Sequence, residues 1–209
     1  MKLTVFGASG GTGREVVRQA LARGHHVTAV VRDPARLDEP VQDVVVADVF
    51  DPAALVAAVG GSDAVVSALG PRGRGPSRIC RDGAAAIITA MRQAEVRRLL
   101  VVSNSGMHRE GDGWFTRLAV KPILIRMLRE EYEDMRVMEE RVAASGLDWT
   151  VVRPPRLTDG PHTGVIASSV GRNVRGSFTI SRADLADYLL RLAEDGSHRG
   201  DAVSVAKGS

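Results

Sequence analysis

Apolar and polar residues follow two different periods along this chain, and the switches between them outline its elements. Short apolar runs at Lys2–Phe6, His26–Val31, Val44–Ala47, Asp63–Leu69, Arg98–Val102, Trp149–Val152 and Ala202–Ala206 have the length of strands. Between them the period lengthens. Gly13–Arg23 carries Val16, Val17, Ala20 and Leu21 at helical spacing and stops at Gly24. Asp51-Pro52 supplies an N-cap and a first-turn proline for a helix over Ala53–Val59. Ser77–Ala94 reads as another helix, and a long helical region ends near Ser145-Gly146. Arg153-Pro154-Pro155-Arg156 stops the sixth strand. Ser181-Arg182-Ala183-Asp184 has the form of a capping box that opens a helix over Leu185–Ala193.

Strands this apolar, separated by helices, predict an α/β fold with a doubly wound parallel sheet covered on both faces. Such sheets take ligands beyond the carboxyl ends of their strands. The loops to watch are therefore 7–13, 32–36, 48–50, 70–77, 103–115 and 154–164.

The first of these loops is Gly7-Ala8-Ser9-Gly10-Gly11-Thr12-Gly13, with a strand before it and a helix after it. A phosphate-binding turn needs this pattern. Gly7 permits the sharp turn, Gly10 and Gly11 let the backbone approach a pyrophosphate, and Gly13 lets helix and strand pack closely. The second strand then ends Val31-Arg32-Asp33, where a site for NAD usually places an acid on the ribose 2′-OH. Here Arg32 comes first, with Arg36 one helical turn on. Guanidinium pairing with a 2′-phosphate is worth about 1.5–3 kcal/mol and points to NADP, with Asp33 as the competing signal. Asp48, at the end of the third strand, is placed either to meet the adenine amino group or to cap its own loop. Beyond the other strand ends, Val49, Leu69, Gly70, Ser103 and Pro154 complete the expected cofactor contacts. These readings describe one NAD(P)-binding domain over residues 1–209, with a substrate pocket formed by 103–127 and 154–180.

Composition adds exclusions. The chain has 209 residues and 44% hydrophobic content, enough for one sizeable core and too apolar for disorder. The net charge is +3, but without basic-aromatic interleaving, so a solvated surface is preferred to nucleic-acid binding. The greasy stretch Leu118–Leu128 is interrupted by Lys121 and Arg126, so no membrane partner is expected. The single cysteine, Cys80, fits a reducing cytoplasm, and Met1-Lys2 leads into a strand with no signal-peptide pattern. The five histidines are scattered without ligand spacing, so no metal is expected.

The whole chain resembles the atypical short-chain dehydrogenase/reductases, and within them the biliverdin-IXβ reductase/flavin reductase group. The matching pieces are the glycine loop, Val31-Arg32-Asp33, Val46-Ala47-Asp48-Val49, Ala68-Leu69-Gly70, Val102-Ser103-Asn104-Ser105, Ser145-Gly146-Leu147, Arg153-Pro154-Pro155 and Ile180-Ser181-Arg182-Ala183-Asp184-Leu185. The resemblance implies NADPH-dependent hydride transfer to a flavin, quinone or tetrapyrrole, with FMN or FAD among the candidate substrates. It implies a serine near the nicotinamide, matched by Ser105, and a histidine, where this chain has Arg156. That departure weakens a biliverdin substrate, because arginine is a poor proton shuttle. The wider superfamily's tyrosine-x-x-x-lysine pair is met only by Tyr132 and Arg136. They share a helical face at i, i+4, but the plainer reading is an exposed tyrosine on a solvated charged helix over Glu130–Arg141.

His108, Trp114 and Phe115 lie where a lid would sit; the two aromatics serve either to stack a flat ring or to anchor the helix around Ile123–Leu128. Three functions compete: a reductase of a small planar acceptor, a non-enzymatic NADP sensor, and an isomerase or epimerase, which no residue specifically supports. A homodimer is left open.

Overall fold

Leu3, Val5 and Phe6 are each no more than 1% exposed. The strand they form, β1 (Lys2–Phe6), is therefore covered on both faces, as an unbroken apolar run requires. Its one buried polar side chain is satisfied, since Thr4 Oγ1 donates to the Ala58 carbonyl at 2.8 Å. The structure is a computed structural model that describes residues 1–71, 77–114, 118 and 121–208.

β1 pairs in parallel with β2 (His26–Val31) on one side and β4 (Ala64–Ser67) on the other. Beyond β2 lies β3 (Asp43–Val46). Beyond β4 come β5 (Arg98–Val102), β6 (Asp148–Arg153) and β10 (Asp201–Lys207), all parallel. The edge strand β8 (Ile166–Val170) closes the order β3-β2-β1-β4-β5-β6-β10-β8. A separate two-stranded sheet joins β7 (Arg156–Thr158) to β9 (Thr179–Ser181). Among the described residues, six helices carry the rest: α1 (Gly11–Ala22), α2 (Pro52–Val59), α3 (Ile79–Gln93), α4 (Lys121–Met127), α5 (Arg129–Ala143) and α6 (Arg182–Asp195).

Alternation along the strands divides the core in two. Leu3, Val5, Val27 and Ala29 meet Val16 and Val17 of α1 and Leu185 and Leu189 of α6. Phe6, Val65, Leu99 and Val101 meet Leu55 of α2, Ile87 and Met91 of α3, and Met138 and Val142 of α5. Winding runs outward from β1 to β3 and from β4 to β6. The direction reverses between β1 and β4, which opens a crevice at their carboxyl ends.

The doubly wound architecture stands as expected, with three differences. The sheet is not wholly parallel: β8 runs antiparallel to β10, Val170 opposite Val203. Ile166-Ala-Ser-Ser-Val170 has too little apolar character to register as a strand on its own. The long helical region divides at Leu128 into α4 and α5. The box at Ser181 is half made. Ser181 Oγ accepts from the Asp184 N–H at 2.9 Å, while the Asp184 carboxylate turns away and takes the N–H groups of Thr163 and Gly164, at 2.7 and 2.9 Å. Burial pushes that carboxyl up, but these bonds outweigh it and hold it below the usual carboxylate range. Among the described residues no helix is long and apolar enough to cross a membrane.

Candidate functional site

The turn from β1 into α1 is built from backbone, and the backbone dictates its residues. Gly7 has φ +76°, and a Cβ there would fall 2.6 Å from the Ala68 carbonyl oxygen, just past the end of β4. The Gly10 N–H donates to the Gly7 carbonyl at 2.8 Å and closes the turn. A Cβ on Gly13 would lie 2.1 Å from that same carbonyl oxygen, so only glycine lets the helix come this close to the strand. α1 then starts with Gly10 as its N-cap residue, with no side-chain cap and no acid in its first turn. Its N-terminal dipole and N–H groups meet no side-chain anion of the first turn, a fit for an anionic ligand.

A cleft of about 690 Å³ runs along the carboxyl ends of β2, β1, β4, β5 and β6. At one end Arg32, Asp48 and Phe50 line it; the glycine loop forms its middle; Ser103, Asn104, Met135, Pro154, Pro155 and Leu157 form the other end. Its charged lining among the described residues is Arg32, Arg78 and Arg182 against Asp48, an excess of positive charge. The arrangement suits a long ligand with a polyanionic centre and flat ends.

Of the residues singled out in the sequence, the structure brings Gly7, Ser9, Gly10, Gly11, Thr12, Arg32, Asp48, Val49, Leu69, Gly70, Ser103 and Pro154 into this one lining. Ala8 and Gly13 underlie the loop without lining the cleft. Arg36 is exposed and also lies outside the lining; its carbonyl accepts from Arg14 Nη2 at 3.2 Å. Asp33, the competing signal, caps the turn at Pro34–Arg36, its Oδ1 accepting from the Ala35 N–H at 3.1 Å. Asp48 caps its own loop, Oδ1 accepting from the Phe50 N–H at 3.1 Å, and also lines the cleft.

The other end is assembled differently. The turn at Ser105–Met107 is capped by Asn104, whose side chain accepts from the Gly106 N–H. Ser105 is buried in it, outside the cleft lining. Tyr132 is buried rather than exposed, and its hydroxyl lies where a Cβ on Gly106 would be, 2.3 Å away. Burial, with the Glu131 charge, pushes its phenol above the usual tyrosine range. Arg136 does not join it. It is exposed and held by Glu133 at 2.7 Å and by Glu140, so the two do not act as a pair in the cleft. Arg156 is exposed as well. Pro155 and Leu157 face the cleft, so strand alternation turns the side chain between them away.

Beneath Ser103 lies a cluster the sequence reading missed. Glu139 accepts from Ser103 Oγ at 2.6 Å and from Arg153 Nε and Nη2 at 3.0 and 2.5 Å, with His108 Nε2 at 3.4 Å. Burial pushes the Glu139 carboxyl up, but the hydrogen bonds from His108, Arg153 and Ser103, with the Arg153 charge, hold it below the usual range. Alongside it, Lys121 is only 4% exposed. Its Nζ donates to the Ser105 carbonyl at 2.8 Å and to that of His108, and faces Asp112 at 3.2 Å. Burial lowers its pKa, partly offset by Asp112. α4 therefore turns Lys121 inward and leaves Ile123, Arg126 and Met127 exposed, as are Leu118 and Trp114, the last at 77%. This overturns Trp114 as a core anchor. Phe115 and residues 72–76 of the loop at 70–77 lie outside the described residues.

Phe50, Arg78, Asn104, Met135 and Arg182 were also missed. Phe50 had a signal: an aromatic two residues past Asp48 at a strand's carboxyl end. Cys80 is buried at the start of α3, and burial, reinforced by Asp134, pushes its thiol up to about 12, which makes it inert. No group of three or more metal-ligating side chains occurs among the described residues.

Comparison with known proteins gives a consistent picture. A family model described as NAD(P)H-binding matches residues 7–196. The uncharacterised protein YwnB of Bacillus subtilis is 29% identical over 214 residues, covering 98% of each chain. A solved structure from Streptococcus pneumoniae, described as a candidate NADH-flavin reductase, superposes with a TM-score of 0.83 at 26% identity over 99% of both chains. ChuY, an anaerobillin reductase from Escherichia coli, has a TM-score of 0.81 over 99% of this chain and 97% of its own; at 23% identity it speaks to the fold alone.

Proposed function

The chain belongs to the NAD(P)H-binding family and is an oxidoreductase of that kind, and from this premise we propose that it uses NADPH to reduce a flavin, a quinone or a similar planar acceptor. The observation that carries the proposal is the cleft itself, which has Arg32 and Asp48 at one end, glycine-loop backbone with Arg182 beside it at its centre, and apolar side chains with a few hydroxyl and amide groups at its far end.

In this reading Arg32, exposed at the cleft's edge, pairs with the 2′-phosphate. Asp33 is occupied as a cap, so no acid competes as strongly for a 2′-OH. Phe50 and Asp48 border the adenine. The N–H groups at Gly10–Gly13 face the diphosphate. Val49, Leu69 and Gly70 flank the ribose side, and Ser103, Asn104 and Pro154 hold the nicotinamide. When bound, the dihydronicotinamide supplies the hydride.

The protein's part is to orient and to exclude. Ser103 Oγ donates its hydrogen bond to the Glu139 carboxylate, which leaves only lone pairs for the cleft, so in this reading it serves as an acceptor for an amide N–H rather than as an acid. No side chain in the described lining is placed as a proton donor to an acceptor ring. Reduced flavins and quinones need none, because solvent protonates them. In this reading the described residues of 103–127 and 154–180 contribute the substrate end. α4 packs on the Ser105–Met107 turn and leaves Ile123 and Met127 exposed beside it, an apolar surface for a flat ring.

The test is oxidation of NADPH and NADH followed by absorbance with FMN, riboflavin and a small quinone. Turnover with NADPH preferred is expected. Arg32→Asp should weaken NADPH at least about tenfold while leaving NADH nearly unchanged; equal losses would remove the NADP assignment. Tight binding without turnover across the panel would make the protein a sensor instead.

A further inference from the structure

Gly11 is the glycine of the loop that the turn does not need. It lies in the first turn of α1, and its φ is not among the positive ones. What a side chain there would meet is Arg182, whose Nε and Cδ would lie 2.7 and 2.8 Å from a Cβ on Gly11 and would have to move aside. The Arg182 side chain therefore lies directly over the N-terminus of α1. It forms the wall between the large cleft and a side pocket of about 290 Å³ behind the loop, and lines both.

Its position is fixed from below and contested from the side. Ser181 caps α6, and Gln19 Nε2 of α1 donates to the Ala183 carbonyl at 2.8 Å, so the backbone that carries Arg182 is tied to α1. The guanidinium is drawn outward by one carboxylate, Asp159, at 2.5 Å. The Asp159 side chain is 92% exposed, against 29% for Arg182. An ion pair with so solvated a partner is weak. A phosphate at the same helix N-terminus would add the dipole and backbone N–H donors to the guanidinium's own bonds.

We propose that Asp159 and the diphosphate of a dinucleotide compete for the Arg182 guanidinium, so that Arg182 is a phosphate ligand and Asp159 a residue that sets nucleotide affinity from outside the cleft. This rests on the cofactor reading above and adds a residue pair to it. The competition explains why a second glycine follows Gly10, and why an arginine occupies the first position of a helix, where the dipole disfavours a cation. It makes a signed prediction: removing the arginine weakens binding, whereas removing the carboxylate strengthens it.

The experiment is a fluorescence titration of NADPH into wild type, Arg182→Ala, Asp159→Ala and the double variant, with thermal melts to confirm folding. Arg182→Ala is expected to weaken binding about tenfold, Asp159→Ala to tighten it about two- to fivefold, and the double variant to match Arg182→Ala, because the carboxylate acts only through the guanidinium. Asp159 is exposed, so its variant folds whatever happens at 182. If Asp159→Ala binds no tighter than wild type, or if its gain persists without Arg182, the competition is overturned even though the nucleotide binds. If wild type binds neither NADPH nor NADH, the cofactor reading falls first and the competition with it.

Discussion

The two ends of the cleft are specified by different physics. At the glycine loop the main chain does the work, and each residue is dictated by a clash or a dihedral angle: Gly7 by its φ of +76°, Gly13 by a carbonyl 2.1 Å from where its Cβ would be. At the Ser103 end, side chains from β5, the 105–112 segment, α4, α5 and β6 converge. Glu139 alone gathers Ser103, His108 and Arg153. A backbone site has few solutions and states them in the chain. A side-chain site has many, and each partner is distant in sequence. The first end is therefore fixed by its own backbone geometry, while the second depends on partners that only the fold brings together.

The sharpest way to break this contrast is at Gly13. Gly13→Ala forces a methyl against the Gly7 carbonyl oxygen, where only backbone can yield. It should cost about 3 kcal/mol of stability and abolish measurable NADPH binding, read by urea denaturation and titration. A mild effect would mean that the loop is softer than its geometry and that the contrast is overstated.

At the other end the matching test is Glu139→Gln, which keeps the shape and removes the charge. It leaves Arg153 without its counter-ion, and should cost about 2 kcal/mol at neutral pH, less than a fully buried pair because both side chains keep some exposure. The pH dependence has a definite sign. The folded carboxyl sits below its usual range, so its stabilisation is complete above the unfolded value, about 4.3, and is lost as pH falls through the folded one. The gap between wild type and variant should narrow as pH drops from about 5 to 3. The absence of a gap at any pH would show that the charge contributes nothing and that Glu139 acts by shape alone.

The same contrast explains what could be read in the chain beforehand. β1, β2 and β5 have the expected bounds, because buried parallel strands are continuous apolar runs. Asp51 caps α2 as its Asp-Pro signal indicates, Oδ1 accepting from the Ala53 N–H at 3.1 Å. β8 escaped because its edge position demands no apolar run. α5 was misread because charge on a helix usually means solvent. Yet Asp134 is buried and accepts the N–H groups of Cys80 and Arg81, both at 3.0 Å, capping α3 from another helix. Nothing within α3 announces a cap supplied 54 residues away. Lys121 is the inverse case: inside a greasy stretch it is the residue of α4 that is buried, because the Ser105 and His108 carbonyls needed a donor.

Arg156 gives the smallest expected effect and the finest discrimination. Its place in the motif marks it for the nicotinamide, yet its neighbours Pro155 and Leu157 occupy the cleft wall, and its own backbone N–H is spent on the Phe178 carbonyl at 3.3 Å. Strand alternation sends the side chain to solvent, where substitutions cost little. Arg156→Ala should therefore leave the NADPH dissociation constant and the kcat/KM for a flavin or quinone within about twofold of wild type. A loss beyond tenfold in kcat/KM with unchanged nucleotide binding would mean that the acceptor reaches round the edge of β7. The acceptor end would then extend beyond the cleft wall, onto a surface where a charged side chain chooses the substrate.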